Sequence, residues 1–505
     1  MAQNFNFNDL FVYDLANNHQ GDIAHGIRII DEISTISNAH GVAGVIKFQF
    51  RQLDSFLHPQ LKATSTNKNI TRFLSTRLAR DDFDAMLAKA RKHKLLTMCT
   101  PFDEESVDII VDMNFDIIKI ASCSSTDWPL IETIAAAGKP VIFSTGGLQI
   151  SDIDDLVSFF DHRGVEFAIM HCVSIYPTPN ELCNLSVIET LTSRYPGKVI
   201  GWSTHENPDE TAPIQVAYAK GARLFERHVG IETDTIKLNA YSSTPQQIDR
   251  WLSAYRTAKD LCGSPDRGPT PEVEAKAIAE LRRGVFARRK IVGGTVIDRD
   301  DVYFAMPWSE GQLASSEWKD GIVAKGDISP DESLTQNLVD MPSSPKTMVI
   351  KKAIHQVKAL LNEARVTLNS EFEVEYSHHY GVENFRETGA VLITCINRSY
   401  SKKVIVQLPG QHHPSHFHRH KEETFQILHG ILHAKVDGHD RRMAPGETVT
   451  ILPGVFHEFW TDTGVVFEEI ASTDTGDSFY RDPNINKMQR SERKTRVDHW
   501  GRYQV

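Results

Sequence analysis

Residues 116–147 have the sequence DIIKIASCSSTDWPLIETIAAAGKPVIFSTGG, and they contain the unit that repeats through the first half of the chain. Two short apolar runs, at 116–122 and 140–147, each end in small or polar residues. A segment long enough for a helix separates them. Such a strand–helix–strand pattern is typical of a βαβ unit with parallel strands.

The same pattern recurs over about the first 260 residues. Further apolar runs that end in polar residues lie at 11–18, 44–50, 95–102, 167–174, 199–205 and 224–230. Segments with helical spacing lie between them, as at 83–93 and 155–164. Eight strand–helix units in about 250 residues predict an α/β fold, specifically a closed (β/α)₈ TIM barrel rather than an open doubly wound sheet.

The alternation of strand and helix patterns ends at a Pro/Gly-rich stretch at 262–275. We predict a barrel domain at 1–265. A linker and a small β-rich domain should follow at 266–345, with the domain itself at 281–338. Residues 346–505 should form a leading helix and an all-β domain at 371–496.

The composition argues against a nucleic-acid-binding protein and against a membrane-spanning one. The 505 residues carry a formal net charge of −11 and no long basic run, which argues against a nucleic-acid partner. No apolar run approaches the roughly 20 residues that a membrane span needs. We therefore expect a soluble, cytoplasmic protein with no membrane partner.

In a TIM barrel, functional residues lie at the carboxyl ends of the strands. Lys47 and Lys119 end what the sequence suggests are neighbouring strands, and Ser122, Ser144 and the STGG turn supply hydroxyls and free N–H groups. These groups suit a multiply charged phosphate.

Two histidines, His205 and His228, end consecutive strands. Two imidazoles so placed can share one divalent ion and leave positions open for substrate. A histidine at a strand end is equally consistent with an ordinary hydrogen bond.

A histidine-rich stretch near the end of the chain, GQHHPSHFHRHKEETFQILHG at 410–430, has the spacing of the first cupin motif. Residues 445–459, PGETVTILPGVFHEF, fit the second motif and add His457. Residues two apart on a strand face the same side, so His416 and His418 should point together into the barrel. With Glu423 and His457 they form a three-histidine, one-carboxylate site suited to Mn, Zn, Fe, Co or Ni.

The first 335 residues resemble the sialic acid (N-acetylneuraminate) synthases. The motifs NNHQGD, KFQ, TPFD, KIAS, STGG, HCVSIYP, GWSTH and ERH occur in the family's order. The resemblance implies condensation of phosphoenolpyruvate (PEP) with an aldose, which yields a 3-deoxy-2-ulosonic acid and phosphate. It also implies that 281–338 is an antifreeze-like (SAF) domain that caps a partner's active site, and hence a domain-swapped homodimer.

The same resemblance assigns roles to residues of this chain. The PEP ligands that it implies are Thr100, Lys119, Ser122, Ser144, Gly146, Asn184 and Ser203, and the sugar ligands are Tyr176, Asn239 and Ser242. The implied catalytic residues are Asp14, Lys47 and Glu226. The implied ligands of a Mn²⁺ ion are His205 and His228. Asp14 would handle the water or the sugar, and Glu226 would orient the open-chain sugar.

Four positions depart from the family's pattern. Asp14 replaces a Glu, Thr204 replaces an Asp, LNAYS at 238–242 lacks an Asp-His pair, and Met306 stands where an arginine reads an acetamido group. All four concern the aldose. We therefore expect PEP to be kept and the acceptor to be a neutral polyhydroxy aldose without an acetamido group.

Residues 371–496 resemble D-lyxose isomerases in HPSHFHRHKEETFQILHG, FHEFW, FEEIAST and FYRDPNI. That resemblance implies a metal-dependent aldose–ketose isomerase, with Glu468 or Glu469 as proton carrier. The cupin would then make the aldose that the barrel condenses. Two alternatives stay open: an N-acetylneuraminate-type synthase with a non-catalytic sugar-binding or assembly cupin, or a degenerate barrel in which only the cupin is active.

Overall fold

The computed structural model describes residues 5–60, 62, 66–265, 267–343, 346–498 and 500. The chain divides into two compact units, Met1–Gly268 and Pro269–Val505, called here the N-terminal and C-terminal units. No helix among the described residues is both long and apolar enough to cross a membrane.

The N-terminal unit is a closed barrel of eight parallel strands in sequential order, which confirms the predicted fold class. The strands are β1 Leu10–Asp14, β2 Ala43–Phe50, β3 Leu96–Pro101, β4 Ile117–Ile120, β5 Val141–Ser144, β6 Phe167–Cys172, β7 Ile200–Thr204 and β8 Leu224–His228. In register, Asp14 lies beside both Lys47 and His228.

Helices surround this barrel. They are α1 Ile23–His40, α2 Leu53–Phe56, α3 Lys68–Ser75, α4 Arg80–Lys92, α5 Glu104–Asp112, α6 Trp128–Ala136, α7 Ile150–Arg163, α8 Val187–Arg194, α9 Ala212–Ala219 and α10 Pro245–Cys262. The start of α1 shows how local chemistry sets their bounds, because the Asp22 carboxylate accepts hydrogen bonds from the N–H groups of Ala24 and His25. Gly41 ends that helix in the left-handed conformation.

The barrel interior is apolar at one end and polar at the other. A buried apolar cluster includes Val12, Val45, Met98, Ile117, Ile142, Met170 and Leu224. Two residues further along the same strands stand Asp14, Lys47, Thr100, Lys119, Ser144, Cys172 and Glu226. Because side chains two apart on a strand share a face, the same pattern that fills the base of the barrel places polar groups at its carboxyl end.

The C-terminal unit begins with α11 Glu272–Leu281 and a small β-rich region. Its strands β9 Gly284–Ala287 and β10 Val302–Ala305 pair antiparallel, as do β11 Val323–Ala324 and β12 Val339–Asp340. This region has its own apolar core, which includes Val285, Ile297, Val302, Ile322 and Leu334. Its assignment as a SAF domain stays a prediction.

The remainder of the C-terminal unit is mostly β. Helix α12, Lys346–Glu363, precedes antiparallel strands that form sheets of seven and five. The other elements are β13 Glu373–Ser377, β14 Ala390–Asn397, β15 Tyr400–Gln407, β16 His412–His418, β17 Glu423–Gly430, β18 Leu432–Val436, β19 His439–Met443, β20 Thr448–Ile451, β21 His457–Trp460, β22 Val465–Ser472, β23 Ser478–Tyr480, α13 Pro483–Lys487, α14 Arg490–Arg493 and β24 Lys494–Asp498. This part of the chain was predicted to be all β, and it is mostly β, with the two short helices α13 and α14 near its end.

Candidate functional sites

Four charged side chains meet at the carboxyl end of the barrel. The Lys47 ammonium lies 2.6 Å from Glu226 Oε1 and 3.0 Å from Asp14 Oδ2. Lys119 Nζ lies 3.9 Å from Glu226 Oε2. All four side chains are buried, so Glu226 stands between two lysines at the centre of the barrel.

This arrangement keeps the charges paired. Burial alone would lower the pKa of Lys47, but Asp14 and Glu226 raise it above its ordinary value. Burial would raise the pKa of Glu226, but Lys119 and Lys47 hold it below its ordinary value. Burial lowers the pKa of Lys119, which has only the more distant Glu226 contact. Of the two lysines, Lys119 therefore has more to gain from an added anion.

Hydroxyls and a backbone N–H surround Lys119. Its ammonium donates to the Ser144 hydroxyl, and the Gly146 N–H donates to Ser122 Oγ over 3.1 Å. A methyl group at Gly146 would press against the Ser122 and Ser174 hydroxyls, so only glycine fits this backbone without displacing them. The Thr100 hydroxyl is buried without a hydrogen-bond partner among the described residues. These groups can receive an anion.

His205 and His228 face each other beside this pocket, with ring centroids 5.3 Å apart. His228 Nδ1 lies 3.3 Å from Asp14 Oδ2, and His205 Nδ1 lies 3.1 Å from the Val173 carbonyl oxygen. In each ring Nδ1 is held, so Nε2 is the atom that would ligate. Two imidazoles beside the Asp14 carboxylate fit a divalent ion, although among the described residues no third ligand residue is gathered with them as closely as in the C-terminal histidine cluster.

The cupin cluster is tighter. One potential ligand atom from each of His416, His418, Glu423 and His457 lies within 4.8 Å of the others, and all four residues are buried. Strand β16 supplies two histidines, and strands β17 and β21 begin at the other two residues. Among the described residues, this is the only group of three or more potential ligands so gathered.

The outward ring nitrogens of the three histidines are held in place. His416 Nδ1 lies 3.0 Å from the Pro414 carbonyl oxygen, and His457 Nδ1 lies 3.2 Å from that of Val455. His418 Nδ1 lies 3.5 Å from Asp477 Oδ1. Such contacts place the proton on Nδ1 and aim the Nε2 lone pairs at the centre of the cluster.

Burial and charge also suit these residues to a metal. Burial lowers the pKa of His416 well below its ordinary value and that of His418 to about 4, so both rings are neutral at pH 7. His457 Nε2 lies 2.8 Å from Glu423 Oε1, and both atoms are shielded from solvent. Buried ligand atoms that converge on one point fit a bound divalent ion.

A lysine joins this cluster to a second carboxylate. Lys421 Nζ lies 2.6 Å from Glu423 Oε2 and 2.6 Å from Glu469 Oε1. Burial alone would lower the pKa of Lys421, but Glu469 and Glu423 raise it. Lys421 therefore stays protonated and fixes Glu469 beside the cluster.

Comparisons with known proteins find a matching family model for each of two separate parts of the chain. Residues 35–267 match the model described as NeuB family, and residues 404–468 match the Cupin domain model. The chain is 42% identical to the crystal structure of a putative spore coat polysaccharide biosynthesis protein E from Chromobacterium violaceum. That match has a TM-score of 0.63 and covers 66% of this chain and 100% of the other. The chain belongs to the NeuB family.

Two curated relatives of this NeuB family member have named activities. The N,N'-diacetyllegionaminic acid synthase of Legionella pneumophila is 25% identical over 57% of this chain and 83% of its own length. The N-acetylneuraminate-9-phosphate synthase of Mus musculus is 25% identical over 57% of this chain and 80% of its own length.

Most of the predicted site residues of the barrel lie together at its carboxyl end, and a few lie at the edge of this group or outside it. Tyr176 is half exposed, with its ring 4.3 Å from that of His205. Asn184 is exposed, and its amide donates to the Leu182 carbonyl oxygen. The Asn239 side-chain oxygen accepts a hydrogen bond from the Tyr241 N–H in its own loop, and the Ser242 hydroxyl accepts one from the Asn18 side-chain amide in the loop after β1. Ser203 Oγ lies 3.5 Å from Glu226 Oε1.

One prediction about the lysines is wrong. Lys47 lies on β2 and Lys119 on β4, so these strands are not neighbours, because β3 lies between them. The lysines nevertheless meet across the barrel interior, because both point inward toward Glu226.

The structure also separates the two candidate cupin glutamates. Glu469 is buried, bonded to Lys421 and 3.4 Å from Lys403 Nζ. Glu468 faces the other side of β22, where its Oε1 lies 2.8 Å from Lys402 Nζ. Glu469 lines the same cavity as His416 and His418, and Glu468 does not.

Two residues at these sites were missed in the sequence. Burial raises the pKa of the Cys172 thiol, but His205, Ser122 and Lys119 lower it below its ordinary value. Cys172 stands at the end of β6, so strand position could have revealed it. Lys421 lies inside the cupin motif, but no strand alternation predicts a side chain that turns inward just before β17.

Proposed function

We propose that the barrel condenses PEP with an open-chain aldose to give a 3-deoxy-2-ulosonic acid and phosphate. The observation that carries this proposal is the pair of buried lysines at the carboxyl end of the barrel, beside the Ser122 and Ser144 hydroxyls and the Gly146 N–H. Two relatives named as acidic-sugar synthases support the reaction class.

In this proposal, Lys119, Ser122, Ser144 and the Gly146 N–H bind the PEP phosphate. Lys47 lies within reach of the PEP carboxylate from the other side of Glu226. Glu226 bridges both lysines, so its main role is to hold them rather than to orient the sugar. Asp14, which contacts both Lys47 and His228, is placed to accept a proton from water.

The bond changes balance without an outside oxidant or reductant. Carbon 3 of PEP attacks the aldehyde carbon, forming a C–C bond, and the aldehyde oxygen takes up a proton. Water adds to the electron-poor carbon 2 and gives one proton to a carboxylate, a role that we assign to Asp14. The bond between carbon 2 and the phosphate oxygen then breaks, the new hydroxyl gives its proton to the leaving phosphate, and carbon 2 becomes a carbonyl. The consumed water thus supplies both the proton gained by the aldehyde oxygen and the proton carried away by phosphate. A divalent ion held by His205 and His228 would polarise the aldehyde oxygen.

The acceptor should lack an acetamido group. Met306 replaces the arginine that the resemblance expects, and its thioether cannot donate a hydrogen bond to an amide. A PEP-dependent phosphate-release screen tests this with N-acetylmannosamine, mannose, lyxose and arabinose, and with their phosphorylated forms. The highest kcat/KM for N-acetylmannosamine would contradict it.

We further propose that the cupin interconverts a ketose and the aldose that the barrel uses. The observation that favours this over a passive binding module is Glu469, a buried carboxylate in the same cavity as the ligand cluster. A bound divalent ion would stabilise negative charge on the sugar oxygens. Glu469 would carry the proton between carbons 1 and 2, with Lys421 holding it in position.

The proposal of two independent metal sites, one in the barrel and one in the cupin, leads to a direct prediction. The double variant His416→Ala/His418→Ala should lose one of about two divalent ions per chain, because two of four cupin ligands are gone. It should still condense PEP with a supplied aldose. Elemental analysis and phosphate release provide the two measurements.

His412→Ala/His420→Ala is the matched control, because these histidines lie in the same stretch of sequence but do not belong to the cluster. It should keep both ions. If condensation were lost together with the cupin ion, the two-site proposal would be wrong. The domain-swapped homodimer implied by the family resemblance also stays a prediction, which sedimentation can check.

A further inference from the structure

The cupin cavity carries a second recognition feature besides the ligand cluster. The cavity has a volume of about 940 Å³, within the range of small-molecule sites. Its wall includes His416, His418, Lys421 and Glu469, and also four cationic side chains from the end of the chain. These four, the basic cluster, are Arg490, Arg493, Lys494 and Arg496.

The basic cluster has too little counter-charge. Glu375 Oε1 lies 2.5 Å from Lys494 Nζ, and Glu375 Oε2 lies 3.1 Å from Arg490 Nη2 and 3.2 Å from Arg496 Nε. Among the described residues, no other carboxylate lies within ion-pair distance of the four cations. One carboxylate thus serves three cations, and a fourth, Arg493, has none.

Arg493 has unused hydrogen-bonding capacity. Its Nε and Nη1 atoms are shielded from solvent and have no hydrogen-bond partner among the described residues. Its guanidinium carbon lies 5.0 Å from the centre of the Tyr480 ring. That ring also stacks at 5.4 Å on the ring of His416. Arg493 and a predicted metal ligand therefore contact the same aromatic ring, so one small ligand can reach both.

Burial makes the excess of positive charge in the basic cluster more costly. Lys494 is largely buried, and burial lowers its pKa below the ordinary value even with Glu375 beside it. Burial alone would raise the pKa of Glu375, but Lys494 and Arg490 hold it at about 2. Glu375 is therefore already ionised at pH 7 and has no further charge to offer. A second anion would relieve this desolvated positive charge.

We propose that the cupin cavity binds an anionic polyhydroxy compound, with its anionic group at the basic cluster and its hydroxyl or carbonyl end at the metal ligands. Arginine forks and an ammonium recognise phosphate and carboxylate oxygens through paired, charge-assisted hydrogen bonds. The ligand is a sugar phosphate or a sugar acid. This departs from the neutral sugar that the sequence predicts.

The anionic subsite adds a substrate class to the proposed isomerase function. It rests on that function only for the placement of the ligand's hydroxyl or carbonyl end at the metal ligands. If the cupin supplies the barrel, the aldose that it delivers carries the same anionic group. The ulosonic acid that the barrel forms would then carry a second charge.

Binding, rather than turnover, provides the test. Calorimetry on the full-length Lys119→Ala chain in EDTA compares fructose, fructose 6-phosphate and gluconate, because that background weakens phosphate binding at the barrel. At least one anionic probe should bind about tenfold or more tighter than fructose. Its affinity should fall with added salt. Preference for fructose 6-phosphate assigns a sugar phosphate, and preference for gluconate assigns a sugar acid.

Variants connect this binding to the basic cluster. Arg493→Gln should remove the advantage of the anionic probe, and Arg441→Gln, an exposed arginine outside the cavity wall, should preserve it. Arg496 is more than half exposed, so Arg496→Gln should fold even if Arg493→Gln does not, and should weaken binding several-fold. Equal binding of fructose and both anions would overturn the proposal, as would unchanged binding in a folded Arg493→Gln chain. Because no metal is present, failure of the isomerase proposal leaves this result unaffected.

Discussion

Lys119→Ala should lower kcat/KM for PEP by a factor of about 10² to 10³ while leaving the barrel folded. Lys119 is a buried cation whose ion pair with Glu226 spans 3.9 Å, and its ammonium donates to the Ser144 hydroxyl. Removing it takes a charged donor out of a desolvated pocket and leaves the PEP phosphate with neutral donors. Initial rates of phosphate release at varied PEP concentration measure the loss.

Lys139→Ala is the matched control. Lys139 lies before β5, at the amino end of that strand, and its ammonium lies 3.4 Å from the side-chain oxygen of Asn114. That variant should keep the wild-type rate. Equal melting temperatures for the three proteins would exclude unfolding as the cause. Wild-type PEP turnover in Lys119→Ala would show that the phosphate binds elsewhere.

The barrel and its polar end were predictable because both arise from one period-two pattern. Val45 and Lys47, or Ile117 and Lys119, occupy the same inner face of a strand, apolar below and charged above. Strand ends and their residue types can be read from that pattern alone. The apolar run at 95–102 lies between the two lysines in the sequence and forms β3. The prediction that Lys47 and Lys119 end neighbouring strands overlooked this run, although the same pattern identifies it.

The cupin ligands were predictable for a similar reason, since motif spacing places two histidines on one face of β16. The choice between Glu468 and Glu469 was not predictable, because adjacent residues on β22 differ only in which face is inward. In the register of β15 and β22, Glu469 lies opposite Lys403 and Glu468 lies opposite Val404. Glu468 forms its ion pair with Lys402 on the other face. The basic cluster was also missed, because it gathers only when β24 pairs with β13 across more than 100 residues of sequence.

Glu469→Gln should abolish use of a ketose, by a factor of about 10² to 10⁴, while leaving use of the matching aldose unchanged. Glutamine keeps the shape of the side chain and can still accept a hydrogen bond from Lys421, but it cannot carry a proton between carbons 1 and 2. Coupled phosphate release from PEP plus ketose, and from PEP plus aldose, measures both activities in one protein.

Glu468→Gln is a sharp control, because it makes the same chemical change on the neighbouring residue, whose side chain pairs with Lys402 outside the cavity. It should use ketose and aldose as the wild type does. If Glu469→Gln also kept ketose use, the cupin would not isomerise through this carboxylate. If both variants lost it, the cause would be disruption of β22. Loss confined to Glu469→Gln, with aldose use intact, would mean that the two halves of the chain work in sequence.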